Sequence, residues 1–358
     1  MSSYPRARID LSALTHNLAQ VRHHAPHSRI WAVVKANAYG HGMVRVAQAL
    51  TAADGLAVAR IDEALHLRTH GITLPILVLE GCADHEALAA ALAARLTLGL
   101  HGAAQIERLA AQIHQASFPV AVWLKVDTGM HRLGVPPSDV PALIERLRAL
   151  APKVQLEGLM THLANADCPD DPRNAQQCQT LQQLAAAFGL ALNIGNSGGI
   201  LALNAARTEW VRPGIMLYGG SPFDHCSAHE LGLRPVMTLE SRLIARHHFE
   251  RGAAIGYGGT YRCPESMPVG VVAIGYGDGY PRHAPTGTPV LIHGQRVPLI
   301  GRVSMDMISV DLRLAPQAQP GDRVVLWGQG LPVEDIAALV GTINYELLCR
   351  LSPRVTLA

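Results

Sequence analysis

The sequence predicts a parallel (β/α)8 barrel of the TIM type followed by a second domain of mostly antiparallel β structure. Three observations carry that expectation. Up to about residue 220, short apolar runs alternate with amphipathic stretches; the runs number eight; and from about Leu231 the pattern becomes alternating and turn-rich. Eight buried strands, each followed by a helix, close most naturally into a barrel. An open doubly wound sheet is the runner-up, but no GxGxxG turn follows the first run.

In order, the runs are IWAVV (30–34), GLAVA (55–59), PILVLE (75–80), LTLGL (96–100), VAVWLKV (120–126), VQLEGLM (154–160), ALNIG (191–195) and EWVRPG (209–214). Between them lie stretches with apolar residues three and four apart and a Gly or Pro nearby to stop them: 41–53, 60–71, 83–94, 103–116, 137–150 and 174–189. Beyond the barrel, 236–249, 269–282, 289–313 and 322–328 are Val/Ile-rich pieces separated by Gly and Pro, which read as antiparallel strands. Only GLPVEDIAALVG (330–341) and INYELLCRL (343–351) suggest helices there. The expected division is a barrel over 8–230 and a β domain over 231–358 that also takes in residues 1–7.

Composition narrows the function. The 358 residues are 49% hydrophobic and 16% charged, enough for a large core, and the net charge of +2 comes without a run of Lys or Arg that would suggest nucleic acid. The N-terminus lacks an apolar signal core and no segment is long and apolar enough to span a bilayer, so a cytoplasmic protein without a membrane partner is expected. Six scattered cysteines without CxxC spacing read as free thiols, and 18 histidines without an HxH or HExxH pair give no metal site.

In barrel enzymes, chemistry collects at the C-terminal ends of the strands. Here those ends carry Lys35 and Tyr39, then Lys125 followed by Asp127 and Arg132, then His162, then Asn196-Ser197-Gly198-Gly199, then Arg212-Pro213-Gly214-Ile215. Taken alone, Lys35 reads as a lysine whose stem packs on the core while its ammonium reaches water. The two glycine-containing segments lie where barrels bind phosphate. A strand-end lysine beside a phosphate site fits pyridoxal phosphate, which needs an amine to bond and a cradle for its phosphate.

With that pairing in view, VKANAYGHG (34–42) resembles the cofactor-attachment motif of the alanine racemases. KVDTGMHRLG, THLANAD, NSGG, VRPGIMLYG, IGYGGTY, AIGYGDGYPR, GRVSMDM and TINYE follow in that family's order along essentially the whole chain. The resemblance implies that Lys35 holds the cofactor and serves as the base for the D-enantiomer. It implies that Tyr257, supplied by the partner chain of a homodimer, is the base for the L-enantiomer. Without the motif Tyr257 would read as a turn residue packed on a β domain. Arg212 would face the pyridine nitrogen, and His162, otherwise a polar residue of the barrel rim, would connect Arg212 to the tyrosine base. Tyr39, Ser197, Gly214 and Ile215 would hold the phosphate, two by hydroxyl and two by backbone N–H.

The same resemblance gives Arg132 and the backbone N–H of Met305 to the substrate carboxylate. It makes Lys125 a candidate for carbamylation and places Tyr276, Arg282, Arg302 and Asp306 along the entrance. The implied activity is interconversion of L- and D-alanine, in cell-wall precursor synthesis or in catabolism. One position departs: Pro353 stands where many members carry a tyrosine that touches the phosphate and narrows the pocket. A broad-specificity racemase of the same fold is therefore the alternative. A barrel decarboxylase would want an acid where Arg212 stands, and a non-catalytic carrier would lack the domain bearing Tyr257.

Overall fold

The computed structural model describes residues 4–358. They form two compact units, one of residues 14–38 and 42–217, the other of residues 4–13, 39–41 and 218–358. Of the N-terminal residues expected to join the β domain, 1–3 lie outside the described residues.

The strands in chain order are β1 (Arg6–Ile9), β2 (Arg29–Val33), β3 (Gly55–Val58), β4 (Ile76–Val78), β5 (Thr97–Leu100), β6 (Val120–Lys125), β7 (Val154–Met160), β8 (Ala191–Asn193) and β9 (Trp210–Val211). In the larger unit β2 to β9 pair in parallel and close into a barrel, with β9 returning to β2. Each of the eight expected runs holds one of these strands, and each expected helical stretch holds a helix. The β3, β4 and β5 strands are buried along their whole length, the mark of strands covered on both faces.

Three tryptophans meet inside the barrel. Trp31 stacks on Trp210 at 4.4 Å between centroids, and Trp123 meets Trp210 edge-on at 6.2 Å. The β6 and β9 strands are not neighbours, so the second contact crosses the interior. Glycines make the room: a Cβ on Gly55 would sit 2.2 Å from the Trp31 ring, and one on Gly158 2.6 Å from that of Trp123. Arg29 caps the stack from the N-terminal side of β2, 5.6 Å over Trp210.

The smaller unit contains β1 and β10 (Met237–Phe249), β11 (Ala254–Ile255), β12 (Tyr261–Arg262), β13 (Met267–Val272), β14 (Pro289–Ile292), β15 (Gln295–Ile300), β16 (Ile308–Asp311), β17 (Arg323–Trp327) and β18 (Thr356–Leu357). The order β13-β16-β15-β14-β17-β10, with β10 also pairing β13, joins six of them into an antiparallel ring. The β1 strand pairs antiparallel with β10 and parallel with β18. The buried Glu240 of β10 is shared between Arg6 of β1 and Arg323 of β17, stitching three strands by one carboxylate. The two expected C-terminal helices are Val333–Val340 and Asn344–Cys349.

Candidate active site

The chain has three lysines, and two of them, Lys35 just past β2 and Lys125 closing β6, stand at C-terminal ends of barrel strands. The third, Lys153, is exposed on the N-terminal side of β7. Arg132 follows β6, His162 follows β7 and Arg212 follows β9, so the parallel barrel brings these five side chains to one end. Lys125 is 8% exposed. Burial, and after it the charges of Arg212, Arg132 and Lys35, bring its amine down to about 8. The same burial and cations hold His162 well below its ordinary value, so its imidazole is neutral at pH 7 and offers one donor and one acceptor.

Lys35 enters an unusual backbone. The backbone after it is a left-handed helical turn: Ala36, Asn37, Ala38 and Tyr39 have φ of 53°, 54°, 55° and 52°. Each L-residue in that conformation costs roughly 1–2 kcal/mol, so four in succession ask for on the order of 4–8 kcal/mol from their surroundings, less what asparagine tolerates. Part of the support comes from Asn37, whose side-chain oxygen accepts the Met43 N–H at 2.8 Å and whose carbonyl accepts that of Gly42 at 3.0 Å. Part comes from Glu63, which accepts the Ala36 N–H at 2.7 Å.

Arg212 is 4% exposed and holds its charge among neutral oxygens. Nη1 donates to the carbonyl of Asn193 at 2.7 Å and to its side-chain oxygen, and Nη2 donates to the carbonyls of Thr161 and, at 3.2 Å, Ile194. Burial lowers the guanidinium only to about 10, so it stays protonated at neutral pH. The four terminal N–H groups are thus engaged, and among the described residues no hydrogen bond uses Nε–H.

The loop after β6 is wound around Asp127, whose Oδ1 accepts the N–H groups of Gly129, Met130 and His131 at 3.1, 3.1 and 2.9 Å and so delivers Arg132. The buried Gln177 ties this loop to the next: Nε2 donates to Thr128 Oγ1 at 3.2 Å and to the His162 carbonyl at 3.1 Å, while Oε1 accepts the Ala164 N–H at 2.9 Å.

After β8, Asn196 caps a short helix, Ser197–Ala202, by accepting the Gly199 N–H at 2.9 Å. Ser197 Oγ accepts the N–H groups of Gly214 at 3.0 Å and Met216 at 3.3 Å, which keeps its own proton available for donation outward. Ile215 begins a single 3₁₀ turn, Ile215–Tyr218, whose first amide has no partner within the turn. Glycine is required here by space: a Cβ on Gly198 would lie 2.4 Å from the Ala166 carbonyl oxygen.

In the smaller unit, the Tyr39 ring stacks on Tyr218 at 4.6 Å and meets Tyr345 at 6.1 Å. Burial raises its phenol far above the usual range, so it remains a hydrogen-bond donor. Gly40 follows at φ 80°, and a Cβ there would strike the Leu348 carbonyl oxygen at 2.1 Å. Tyr257 stands on a tight turn of glycines, 69% exposed. Arg302 backs that turn, its Nη1 3.4 Å from where a Gly258 Cβ would be. Met305 is 52% exposed; its carbonyl accepts the Gly277 N–H at 2.8 Å, and no hydrogen bond among the described residues uses its own N–H. Tyr276 is bound to the same loop by its N–H to the Ser304 carbonyl, 3.1 Å. Asp306 pairs with Arg354 at 2.7 Å. Arg282 is exposed. Pro353 is exposed as well, and Ser352 Oγ beside it accepts the Arg354 N–H at 3.3 Å.

Sequence reading did not single out Glu63, Asn193 or Gln177. Their partners lie 27, 19 and 49 positions away, and only the closed barrel makes them neighbours.

Comparison with known proteins bears on both units. The family model "Alanine racemase, N-terminal domain" matches residues 9–222, and "Alanine racemase, C-terminal domain" matches residues 236–358. A Nitrosococcus oceani protein named alanine racemase is 52% identical over 353 residues, covering 99% of this chain and 98% of its own length. A Coxiella burnetii protein of the same name is 47% identical, covering 98% and 97%. Among solved structures, the biosynthetic alanine racemase of Pseudomonas aeruginosa superposes with a TM-score of 0.93 at 44% identity over 99% of both chains. That of Acinetobacter baumannii gives 0.91 at 38%, again over 99% of both.

Proposed function

The chain belongs to the alanine racemase family and is an isomerase; from that premise we propose that it interconverts L- and D-alanine with pyridoxal phosphate and two bases, Lys35 and the partner's Tyr257. The observation that carries this reading is Arg212: a buried guanidinium, fixed through both terminal nitrogens by neutral oxygens, with Nε–H left to meet an acceptor.

The residues fit the cofactor. Lys35, Arg132 and Arg212 form a cationic field suited to a phosphorylated group, and Ser197 Oγ–H and the Ile215 N–H can donate to a phosphate. Gly214 already gives its N–H to Ser197, so it would serve the phosphate through that hydroxyl or by sharing its proton. Tyr39 is proposed as the second hydroxyl. When bound, pyridoxal phosphate withdraws electrons from the substrate's Cα–H bond and makes it acidic.

The chain's own groups do the rest. Lys35 Nζ takes or returns the proton on one face of the substrate, and the phenol oxygen of the partner's Tyr257 does so on the other. Two bases are needed because a proton removed from one face must be replaced on the opposite face. Arg212 cannot give up a proton at neutral pH, so with pyridoxal phosphate bound its Nε–H would offer the ring nitrogen a donor and no proton, which would leave that nitrogen unprotonated and electron withdrawal moderate. That disfavours side reactions of the kind a stronger electron sink permits. His162, neutral and held through its carbonyl by Gln177, connects the Arg212 region to the tyrosine base. Arg132 and the N–H of the partner's Met305 receive the substrate carboxylate.

Lys125, whose amine is partly unprotonated near pH 8, is proposed to become a carbamate. Its nitrogen lone pair bonds to the carbon of CO2, one C=O π pair moves onto oxygen, and the displaced proton goes to water. A negative group then replaces a third cation beside Arg132.

The proposed domains are 8–230 and, together with residues 1–7, 231–358, and the proposed setting is cytoplasmic. Pro353 favours a second reading, a racemase of wider substrate range. Both are tested by following loss of optical rotation with alanine, serine and lysine in parallel, with and without added pyridoxal phosphate. The expected result is cofactor-dependent racemisation of alanine well ahead of the other two. Comparable rates on all three would support the second reading, and none on any would remove both.

A further inference from the structure

We infer that Glu63 is a positioning residue for Lys35, acting through the left-handed turn that the lysine begins. The inference rests on the proposed role of Lys35 and deepens it.

Glu63 lies in the first turn of the helix Ile61–Thr69, where a glutamate ordinarily closes a capping box on the helix's own entrance. It does that here: Oε2 accepts the N–H groups of Ala59 at 2.9 Å and Arg60 at 3.2 Å. Its other oxygen does something a cap does not need. Oε1 leaves the helix and accepts the N–H of Ala36, the residue after Lys35, at 2.7 Å, the shortest of the three contacts. One carboxylate therefore joins the end of β3 to the end of β2 and uses both oxygens to do so.

The contact falls where the backbone needs support. Ala36 is the first of four consecutive non-glycine residues at positive φ, and it is exposed. The Ala38 N–H still closes the turn on the Val34 carbonyl at 2.9 Å, but without Glu63 the Ala36 N–H loses its acceptor and the peptide next to Lys35 loses its tie to the neighbouring strand end. That lets the Lys35 Cα–Cβ bond rotate, which decides where Nζ can reach. A glutamine at 63 has one acceptor oxygen, and its NH2 would face N–H donors, so either the helix entrance or Ala36 loses its partner.

The test uses Glu63→Gln, with Ala36→Gly added to it as a rescue, because glycine adopts positive φ without the steric cost that Ala36 carries at φ 53°. Asp84→Ala is the control, because Asp84 caps a different helix through the Ala87 N–H at 2.8 Å and touches no part of the turn. With three lysines in the chain, amine-selective labelling of the apo-protein read by peptide mass spectrometry reports Lys35 against the exposed Lys153 as internal reference. The expected result is a changed pH profile of Lys35 labelling in Glu63→Gln, which Ala36→Gly moves back toward that of the wild type. With it should come about a 10- to 100-fold fall in kcat, the scale of a misplaced reacting group, and a much smaller change in KM. Asp84→Ala should lose thermal stability alone. The inference is overturned if Glu63→Gln leaves Lys35 labelling and kcat as in the wild type, or if adding Ala36→Gly to it restores neither, whatever happens to melting temperature. Because labelling needs neither cofactor nor substrate, it separates this failure from failure of the racemase reading, in which the wild type itself would be inactive.

Discussion

Lys125 shows what one buried amine does to the energetics of the site. Its pKa falls from 10.5 to about 8 on folding, chiefly through burial. Between those values the unfolded chain holds a proton that the folded chain does not, so stability rises with pH across that window. Below about 8 both states are protonated, and the full cost, on the order of 3 kcal/mol, is present. A carbamate on Nζ would remove that cost at neutral pH. We expect bicarbonate at pH 8 to raise the melting temperature of the wild type, with one added CO2 in the intact mass, and to leave Lys125→Met unchanged. We also expect the wild type to gain on that variant as pH rises from 8 toward 10.5. Equal responses of the two proteins would contradict the assignment. At this scale the sequence was most legible for residues that end strands. Lys35, Lys125, His162 and Arg212 could be named because strand ends are visible as the close of an apolar run. Glu63 and Asn193 could not, since nothing local distinguishes a glutamate that caps its own helix from one that also reaches another strand.

The elements were legible where burial on both faces leaves a continuous apolar run, as in LTLGL and VAVWLK. Even the two-residue strand Trp210–Val211 announced itself through EWVRPG. The helix Leu11–His24 stands outside the strand–helix alternation that makes the other barrel helices legible, because it precedes the first barrel strand. Its signal was present at its start: Asp10 accepts the N–H groups of Ser12 at 2.9 Å and Ala13 at 3.1 Å, an ordinary N-terminal cap. The left-handed turn after Lys35 had no such signal, since alanine does not favour that conformation and tertiary contacts impose it. The glycine cradle makes an element-scale prediction. Gly198→Ala would press a methyl group to 2.4 Å from the Ala166 carbonyl oxygen and displace the Ser197 turn. We expect pyridoxal phosphate to bind about 10-fold or more weakly, as for the loss of a charge-assisted hydrogen bond, measured by equilibrium titration of its visible band. An unchanged affinity would mean the phosphate is held elsewhere.

For the whole molecule, the question is what completes the site. In the smaller unit, Tyr257, Met305, Met307 and Tyr276 leave 69%, 52%, 41% and 39% of their surface exposed, a group of large apolar side chains for which a second copy of the chain is the proposed cover. The division into a barrel and a β domain could be read from a change of periodicity near residue 231, whereas pairing between chains leaves no periodic trace. It was reached only through the resemblance carried by IGYGGTY and GRVSMDM.

Mixing two inactive variants, Lys35→Ala and Tyr257→Phe, tests the shared site most directly. After subunit exchange, about half the dimers are mixed, and each has one site with both bases, so about a quarter of wild-type alanine racemisation should return. No recovery after exchange verified by mass would contradict a racemase whose two bases come from different chains.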